Sequence, residues 1–315
     1  MQILEHDMAW DCTARPTSIA FEHIVPKPIS DPIFTEVFES FPISSGLNPS
    51  LTALKPLQDL AGHYCLDNRK EEWFLRITRR RRKNPDLEED IAFYLDEQGI
   101  KVNLPLKRAT TIHWRGHDYL LSVFPRIEGR HFDGSERDLI AVCDCLSRTH
   151  VALNSFPLAN QIRSASVLTA EKLFNLQDRM LRAFETDDLS MFHERSDWVY
   201  RNHAWMKTMV ESFNPALCSL PNAQPVHGEI HLGNVIFSSF DGSAVLTDFE
   251  ETTDSWFPIS FDLSYLIQRF CFDGQPKRHL LQERLKIVEG FFSYSTRDLQ
   301  EMMRQATLPS SGPPA

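Results

Sequence analysis

The sequence predicts an α+β protein in which strands are concentrated in the first part of the chain and helices in the rest. Short apolar runs typical of strands occur before residue 125, the clearest being Trp73–Ile77. Longer patterns at helical spacing follow, from Ser135 to about Leu153 and through residues 160–217. A sheet region followed by a helical region is typical of α+β folds. With 315 residues, the chain is long enough to bury a large core and to form two lobes.

The composition is that of an ordinary globular protein, with 42% hydrophobic and 24% charged residues. A formal net charge of −10 argues against a nucleic-acid partner, because phosphate contacts require clustered cations. No apolar run approaches the length of a membrane span, and Met1–Trp10 lacks the basic-then-apolar order of a signal peptide. Scattered cysteines predict free thiols in a reducing compartment. We therefore expect a cytoplasmic protein without a nucleic-acid or membrane partner, whose oligomeric state the sequence leaves open.

The first part of the chain begins irregularly. Residues 1–29 mix prolines, histidines and acids without periodicity, which predicts an irregular N-terminal extension. An Asp at a cap position favours a short helix over residues 31–40. Loose alternation over residues 51–60 then predicts a first strand.

The strongest strand candidate is Trp73–Ile77, in which Arg76 is the one charged member. The basic run Arg79–Lys83 follows at once, and we interpret it first as a solvated loop and second as an auxiliary anion patch. A helix is predicted over Leu87–Gln98, because Pro and Asp precede it and a glycine ends it.

Further elements are predicted in order along the chain. Strand patterns cover Lys101–Leu106, Ile112–Trp114 and Asp118–Phe124, and Pro125–Gly129 breaks the last of them. After a long helix that Ser135 caps, helical patterns cover residues 160–217, Phe261–Phe270 and Lys277–Phe292, and residues 308–315 predict a disordered tail.

Two neighbouring stretches carry residue types that suit phosphoryl transfer. In the first, an apolar step leads into His-Gly-Glu, and Asn234 stands five residues after Glu229. In the second, a short apolar strand ends in Asp248 and Glu250, which point the same way on an extended backbone and so could share one ion. One carboxylate orients or deprotonates an acceptor hydroxyl, while an amide and an acid pair hold Mg²⁺ against a triphosphate. Glu229 is therefore the candidate base, and Asn234, Asp248 and Glu250 are the candidate metal ligands.

The combined pattern resembles the catalytic and metal loops of the aminoglycoside phosphotransferase/choline kinase-like family, a small-molecule branch of the protein-kinase fold. That family usually carries His-Gly-Asp-x-x-x-x-Asn and then a hydrophobic strand that ends in Asp-x-Asp or Asp-x-Glu. One position departs, because Glu229 stands where the family has aspartate. The residues that fit are His227, Gly228, His231, Gly233, Asn234, Asp248 and Glu250. The resemblance implies a two-lobed kinase-like fold, with a small antiparallel-sheet N-lobe over residues 30–127 and a mainly helical C-lobe over residues 128–307.

The resemblance also assigns residues to nucleotide binding. Arg76 would contact the ATP phosphates from its strand, and Glu88 would hold it in place from the following helix. Gly62 falls where the family has its phosphate-covering hairpin, while Phe124 and Ile127 fall at the hinge that flanks the adenine. Three plainer interpretations stay open: a solvent-facing Arg76, an acidic first helical turn that contains Glu88, and an ordinary turn at Gly62.

Other residues of the same motifs are expected to be structural. His150 ends a stretch similar to the family's Leu-x-x-Leu-His element, so we expect a buried residue that packs and hydrogen-bonds. Asp262 would cap or brace the catalytic loop. His227 and His231 would hold that loop through hydrogen bonds, since Mg²⁺ prefers oxygen ligands.

The preferred function is an ATP- and Mg²⁺-dependent kinase that phosphorylates a hydroxyl of a small-molecule acceptor. The second interpretation is a nucleotide-binding pseudokinase or regulatory module, because the extra methylene of Glu229 moves its carboxylate by about 1.5 Å. A metal-dependent hydrolase that uses His227, Glu229 and His231 is a third, but it leaves the Asp-x-Glu strand unexplained. The sequence identifies neither the acceptor nor the preference between ATP and GTP.

Overall fold

The computed structural model of the protein describes residues 50–53, 62–67, 72–78, 84–114, 116–212, 217–220, 222–274, 276–292 and 294. The predicted N-terminal extension, the helix at 31–40, the basic loop at 79–83 and the tail at 308–315 lie outside the described residues. The described chain forms two compact units. The first unit contains the described residues up to 145 together with 233–250, and the second unit contains residues 146–232 and those from 251 onward. The lobe boundaries expected from the sequence stay a prediction.

The first unit contains an antiparallel sheet, whose strands are β1 (Ser50–Ala53), β2 (Gly62–Asp67), β3 (Glu72–Thr78), β4 (Thr110–Trp114) and β5 (His117–Pro125). Their order in the sheet is β1-β2-β3-β5-β4. Burial alternates along β3, which places Trp73, Leu75 and Ile77 in the core and turns Arg76 to the other face. The strands predicted at β3, β4 and β5 are confirmed.

Helix α1 (Pro85–Glu97) follows the strand that carries Arg76. Its N-terminus is capped by Asn84, whose Oδ1 accepts a hydrogen bond from the Leu87 amide at 3.2 Å. Ile91 and Leu95 are fully buried on its apolar stripe. Glu88 is buried on the same helix, so α1 brings a carboxylate to the interior of the first unit.

The strand predicted over Lys101–Leu106 is wrong. Within it, the structure has only an isolated parallel bridge between Val102 and Leu246. The Leu246 amide donates to the Lys101 carbonyl at 3.1 Å, and the Asn103 amide donates to the Leu246 carbonyl at 2.9 Å. Because Pro105 has no N–H, the pairing cannot continue past it.

The remaining strands are β6 (Gly129–Arg130), β7 (Ala223–Pro225), β8 (Val235–Ser238), β9 (Ala244–Leu246) and β10 (Trp256–Pro258). In the first unit, β6, β8 and β9 form a three-stranded antiparallel sheet, and in the second unit β7 pairs with β10. Asn234 immediately precedes β8, and Asp248 follows β9 after one residue. The Thr247 amide donates to the Asn234 carbonyl at 3.0 Å, which ties the ends of the two motif loops together.

The other helices are α2 (Glu136–Asn154), α3 (Ala159–Thr186), α4 (Ser196–Arg201), α5 (His203–Ser212), α6 (Ser260–Leu266) and α7 (Arg278–Phe291), and a π-helical turn, Ile267–Cys271, continues α6. The Ser135 hydroxyl accepts a hydrogen bond from the Asp138 amide at 3.3 Å, as expected of a cap.

In the second unit, Phe184, Leu189, Val199 and Met206 form a buried hydrophobic cluster, to which α3, α4 and α5 contribute. These helices confirm the predicted α+β class. None of the helices in the described ranges is both long and apolar enough to cross a membrane.

Candidate functional site

The guanidinium of Arg76 connects two carboxylates inside the first unit. Its Nη2 donates to Glu88 Oε1 at 2.7 Å, and its Nη1 donates to Asp248 Oδ1 at 2.9 Å. The arginine side chain is only 12% exposed, so the solvent-facing interpretation of Arg76 is wrong. Arginine suits this position because its donors form a planar fork that can bind two acceptors at once.

Burial and charge compete at this cluster. Burial disfavours the charged form of Arg76, but the nearby Glu88 and Asp248 carboxylates outweigh it and raise the pKa of the guanidinium. Burial also raises the pKa of Glu88 to about 8, against the opposing effect of Arg76. Asp248 differs in its surroundings, because its side chain is 36% exposed. Of the two carboxylates, Asp248 is therefore the one that solvent or a ligand can reach.

Asp248 has an unusual backbone conformation. Its φ is +60°, in the left-handed region that aspartate and asparagine tolerate better than most residues. The extended backbone predicted through Asp248 and Glu250 is wrong, because the strand ends at Leu246 and Asp248 is left-handed. Glu250 nevertheless acts electrostatically on Arg76 and raises the pKa of that residue.

A pocket in the first unit gathers most of the predicted nucleotide and metal residues. Arg76, Glu88, Asn234 and Asp248 all line it. The rest of its lining is Phe74, Glu89, Ala92, Asn103, Pro105, Phe124, Gly233, Thr247 and Phe249. The described lining therefore combines an apolar wall with a cation, two amides and three carboxylates.

The predicted hinge and hairpin residues are placed differently. Phe124 lies at the end of β5, where its ring centroid is 6.3 Å from that of Phe74 and 5.9 Å from Arg76 Cζ. Arg76 thus has a cation–π contact in addition to its two hydrogen bonds. Gly62 is the first residue of β2. Ile127 is not among the described residues that line the pocket.

The His-Gly-Glu loop belongs to the second unit, where Asp262 holds its backbone. The fully buried Asp262 accepts from the His227 amide through Oδ2 at 2.8 Å and from the Gly228 amide through Oδ1 at 2.9 Å. His150 Nε2 also lies 2.8 Å from Asp262 Oδ2. Burial opposes ionisation of Asp262, but these hydrogen bonds and the neighbouring histidines hold its pKa below the ordinary value. Asp262 braces the loop and His150 is buried, as the sequence predicts.

Gly228 is required by its conformation and by its surroundings. Its φ is +86°, and a Cβ built there would lie 2.5 Å from Ser255 Oγ. The Thr252 hydroxyl donates to the His227 carbonyl at 2.8 Å. Contacts with Thr252 and Ser255 therefore restrict the backbone of the two residues that precede Glu229.

Glu229 extends from this fixed loop with its side chain 38% exposed. Its amide lies 3.4 Å from His227 Nδ1, and its Oε1 lies 3.9 Å from His231 Nε2. After burial, the Glu229 charge is the largest influence on Tyr265, and it raises the pKa of that phenol. Within the described residues, no group of three or more His, Cys, Asp or Glu side chains is arranged to hold a metal.

Several residues of these surroundings were not predicted. Asn103 lies in the stretch misassigned as a strand, so its place in the pocket lining was missed. Glu89 is buried beside Glu88 and accepts from the Ala109 amide at 2.8 Å. Thr252 and Ser255 follow the metal loop directly, and a hydroxyl-rich turn at that point is the signal that could have identified them.

Comparison with solved structures identifies the fold. An aminoglycoside phosphotransferase from Streptomyces rimosus, solved in complex with ADP and streptomycin, is 12% identical with a TM-score of 0.50, over 89% of this chain and 98% of that one. A Plasmodium vivax ethanolamine kinase is 11% identical with a TM-score of 0.49, over 87% and 84%. An aminoglycoside phosphotransferase from Alicyclobacillus acidocaldarius is 14% identical with a TM-score of 0.48, over 82% and 80%. The Streptomyces similarity supports the protein-kinase-like fold, and the predicted fold class is confirmed.

Sequence comparison is more specific than fold. None of the curated proteins compared with the chain matches it significantly. The model of the phosphotransferase enzyme family, however, matches residues 58–291, which include both motif loops and the strand that carries Arg76. The chain therefore belongs to the phosphotransferase enzyme family.

Proposed function

We propose that this protein is an ATP- and Mg²⁺-dependent kinase that transfers a phosphoryl group to a hydroxyl of a small-molecule acceptor. The observation that carries the proposal is the contact of one buried guanidinium, Arg76, with both Glu88 and Asp248 in a pocket that Asn234 also lines. Phosphoryl transfer is catalysed mainly by positioning and charge stabilisation, and this cluster supplies a fixed cation beside oxygen ligands.

Arg76 would bind the nucleotide phosphates in this proposal. Glu88 occupies one side of its guanidinium and fixes its orientation, while the contact with the more exposed Asp248 can be exchanged for phosphate oxygens. A planar fork binds phosphate in a defined direction as well as by charge. The apolar wall of the same pocket includes Phe124, the predicted hinge residue. ADP is bound by the Streptomyces phosphotransferase, which supports nucleotide use by this chain.

The donor set fits Mg²⁺. Asp248 and Asn234 line the same pocket, and both offer the oxygen ligands that this ion prefers. Magnesium usually takes only one or two protein carboxylates and completes its octahedron with water and substrate phosphates, so a larger acidic cluster is not needed. When bound, the ion neutralises charge on the transferred phosphoryl group. Glu250 would assist directly or through water.

Glu229 would orient the acceptor hydroxyl and take its proton. The carboxylate extends from a loop whose backbone is fixed by Asp262 and Gly228, so its reach is set by the side chain alone. Its 38% exposure leaves it accessible to a substrate. This residue also motivates the competing pseudokinase hypothesis, because the family has aspartate at the same position.

The direct test is ATP-dependent phosphorylation of a panel of sugars, amino alcohols, amino acids and aminoglycosides. ADP release and phosphorylated product should both appear with at least one acceptor, should require Mg²⁺, and should disappear in Asp248→Asn. Asp96→Asn, an exposed change on α1 of the first unit, is the matched control and should leave the rate unchanged. Mg²⁺-dependent nucleotide binding without turnover of any acceptor would favour the pseudokinase. Failure to bind nucleotide at all would refute both.

A further inference from the structure

We propose that His231 is a positioning residue that fixes the carboxylate of Glu229 and so allows glutamate to serve where the family has aspartate. The inference rests on the proposed function of Glu229 as the base. The Glu229 carboxylate lies beside the His231 ring, with Oε1 3.9 Å from Nε2.

The backbone before Glu229 leaves little freedom. Asp262 binds the amides of His227 and Gly228, and the Thr252 hydroxyl binds the His227 carbonyl. Gly228 has a left-handed φ and packs closely against Ser255. Both features restrict the backbone conformation of the loop at this position. The position of the Glu229 carboxylate is therefore decided by its side-chain torsions.

A glutamate has one torsion more than an aspartate, and each added sp³ torsion offers three staggered wells. Its carboxylate is also 38% exposed, so packing alone does not select one well. His231 lies two residues later on the same loop, is 27% exposed, and presents Nε2 to Oε1 at ion-pair distance. An exposed pair of this kind contributes little to stability. It is sufficient, however, to favour one side-chain conformation of the base.

Two substitutions separate positioning from structure. In His231→Phe the ring remains but the nitrogen is lost, and we expect kcat to fall about tenfold, since a misplacement of about 1 Å costs up to roughly a hundredfold. His231→Gln places an amide nitrogen where Nε2 stands and should recover most of that loss. The KM for ATP should not change in either variant, and both should melt near the parent temperature.

The Glu229→Asp variant provides the background in which the positioning role of His231 is tested. An aspartate at 229 does not extend to His231, so His231→Phe should change kcat less than twofold when it is combined with Glu229→Asp. An equal effect of His231→Phe in both backgrounds would show that the histidine supports the loop in general, and would overturn the proposal. His113→Phe is the matched control, because His113 forms an exposed pair with Asp118 at 2.9 Å in the first unit.

A measurement that needs no turnover tests the same contact. Carbon-detected NMR of labelled histidine should give His231 a lower titration midpoint in Glu229→Gln than in the parent, because the neutral amide no longer favours imidazolium. Tyr265, on which Glu229 acts, and the other charged groups that act on Tyr265, namely Arg269, Asp262 and Glu251, are identical in both proteins, as is His227 beside Asp262.

An unchanged His231 midpoint would overturn the proposal, whatever the kinetics show. A parent that phosphorylates no acceptor would instead refute the proposed function. The lowered midpoint would then still establish the contact that we infer between His231 and Glu229, so the two failures are distinguishable.

Discussion

Arg76 Nη1 lies 2.9 Å from Asp248 Oδ1, although the two residues are 172 positions apart in the sequence. Arg76 lies within β3, and Asp248 follows β9 after one residue, in a left-handed backbone conformation. The contact places the proposed phosphate-binding cation directly on the proposed metal ligand. Phosphate oxygens that bind Arg76 would weaken this contact and release Asp248 for the metal, so nucleotide and Mg²⁺ should bind with positive coupling.

The first prediction concerns Asp248→Asn. Asparagine tolerates the φ of +60° and matches the shape of aspartate, so the substitution removes the charge without disturbing the turn. We expect Mg²⁺-dependent binding of a non-hydrolysable ATP analogue to be lost in calorimetry, while the circular dichroism spectrum and melting behaviour stay near those of the parent. Asn234→Ala should weaken Mg²⁺ use more mildly. Full phosphotransfer by Asp248→Asn at ordinary Mg²⁺ would show that this loop has been misassigned.

The second prediction concerns Arg76. Arg76→Ala should raise the KM for ATP about 10- to 100-fold, the loss expected for one or two charge-assisted hydrogen bonds, and should change the acceptor KM much less. Arg76→Lys should recover part of the affinity, because the point charge survives without the fork. Initial rates at varied ATP and acceptor decide the matter. An unchanged ATP requirement would limit Arg76 to a structural role between Glu88 and Asp248.

The third prediction uses the raised pKa of Glu88. An unfolded glutamate titrates near pH 4.3, whereas the folded pKa is about 8. Folding therefore takes up a proton between these values, and the contribution of Glu88 to stability is fully present below the lower one and is lost as pH rises through the higher. Relative to Glu88→Gln, the parent should lose at most about 1 kcal/mol per pH unit from pH 5 to 8. Urea unfolding of both proteins across this pH range measures the difference in their unfolding free energies. A difference that stayed constant with pH would contradict the prediction.

The sequence predicted the elements with strong periodicity, and it selected from local motifs four residues that line one pocket, Arg76, Glu88, Asn234 and Asp248, whose roles stay a prediction. β3 and α1 were predictable because alternation and capping are local signals, and Arg76 and Glu88 are only 12 residues apart. The failures have non-local causes. Lys101–Leu106 has the composition of a strand, but Pro105 and the bridge to Leu246 determine its conformation. The left-handed conformation at Asp248 is not marked by a glycine in the sequence. The alternating strand pattern was therefore wrongly extended to Glu250.

The fourth prediction concerns the brace of the catalytic loop. The pKa of Asp262 is lowered in the folded protein, so its stabilising effect is present above the unfolded value of about 3.9 and is lost as pH falls through the folded value. Asp262→Asn should destabilise the protein by about 3 kcal/mol at pH 7, because it removes an ionised partner of two buried amides. The difference in unfolding free energy between parent and variant should stay near its pH 7 value at pH 5 and should narrow only below about pH 4. Denaturant unfolding at about pH 7, 5 and 3 measures this difference, and a difference that widened below about pH 4 would contradict the sign.

The last prediction separates an active enzyme from a pseudokinase at Glu229. A working base must reach the acceptor hydroxyl at hydrogen-bond distance, about 2.6–3.2 Å. Glu229→Gln should lose most turnover and keep ATP and Mg²⁺ binding, because glutamine matches the shape but cannot accept the proton. Glu229→Asp should also impair the enzyme, since the pocket would be fitted to the longer side chain. A pseudokinase requires the opposite pattern: no turnover by the parent with any acceptor, and no binding penalty in Glu229→Gln. If Glu229→Asp created activity in an inert parent, the chain would have lost catalysis at this single position, and the enzyme hypothesis would fail.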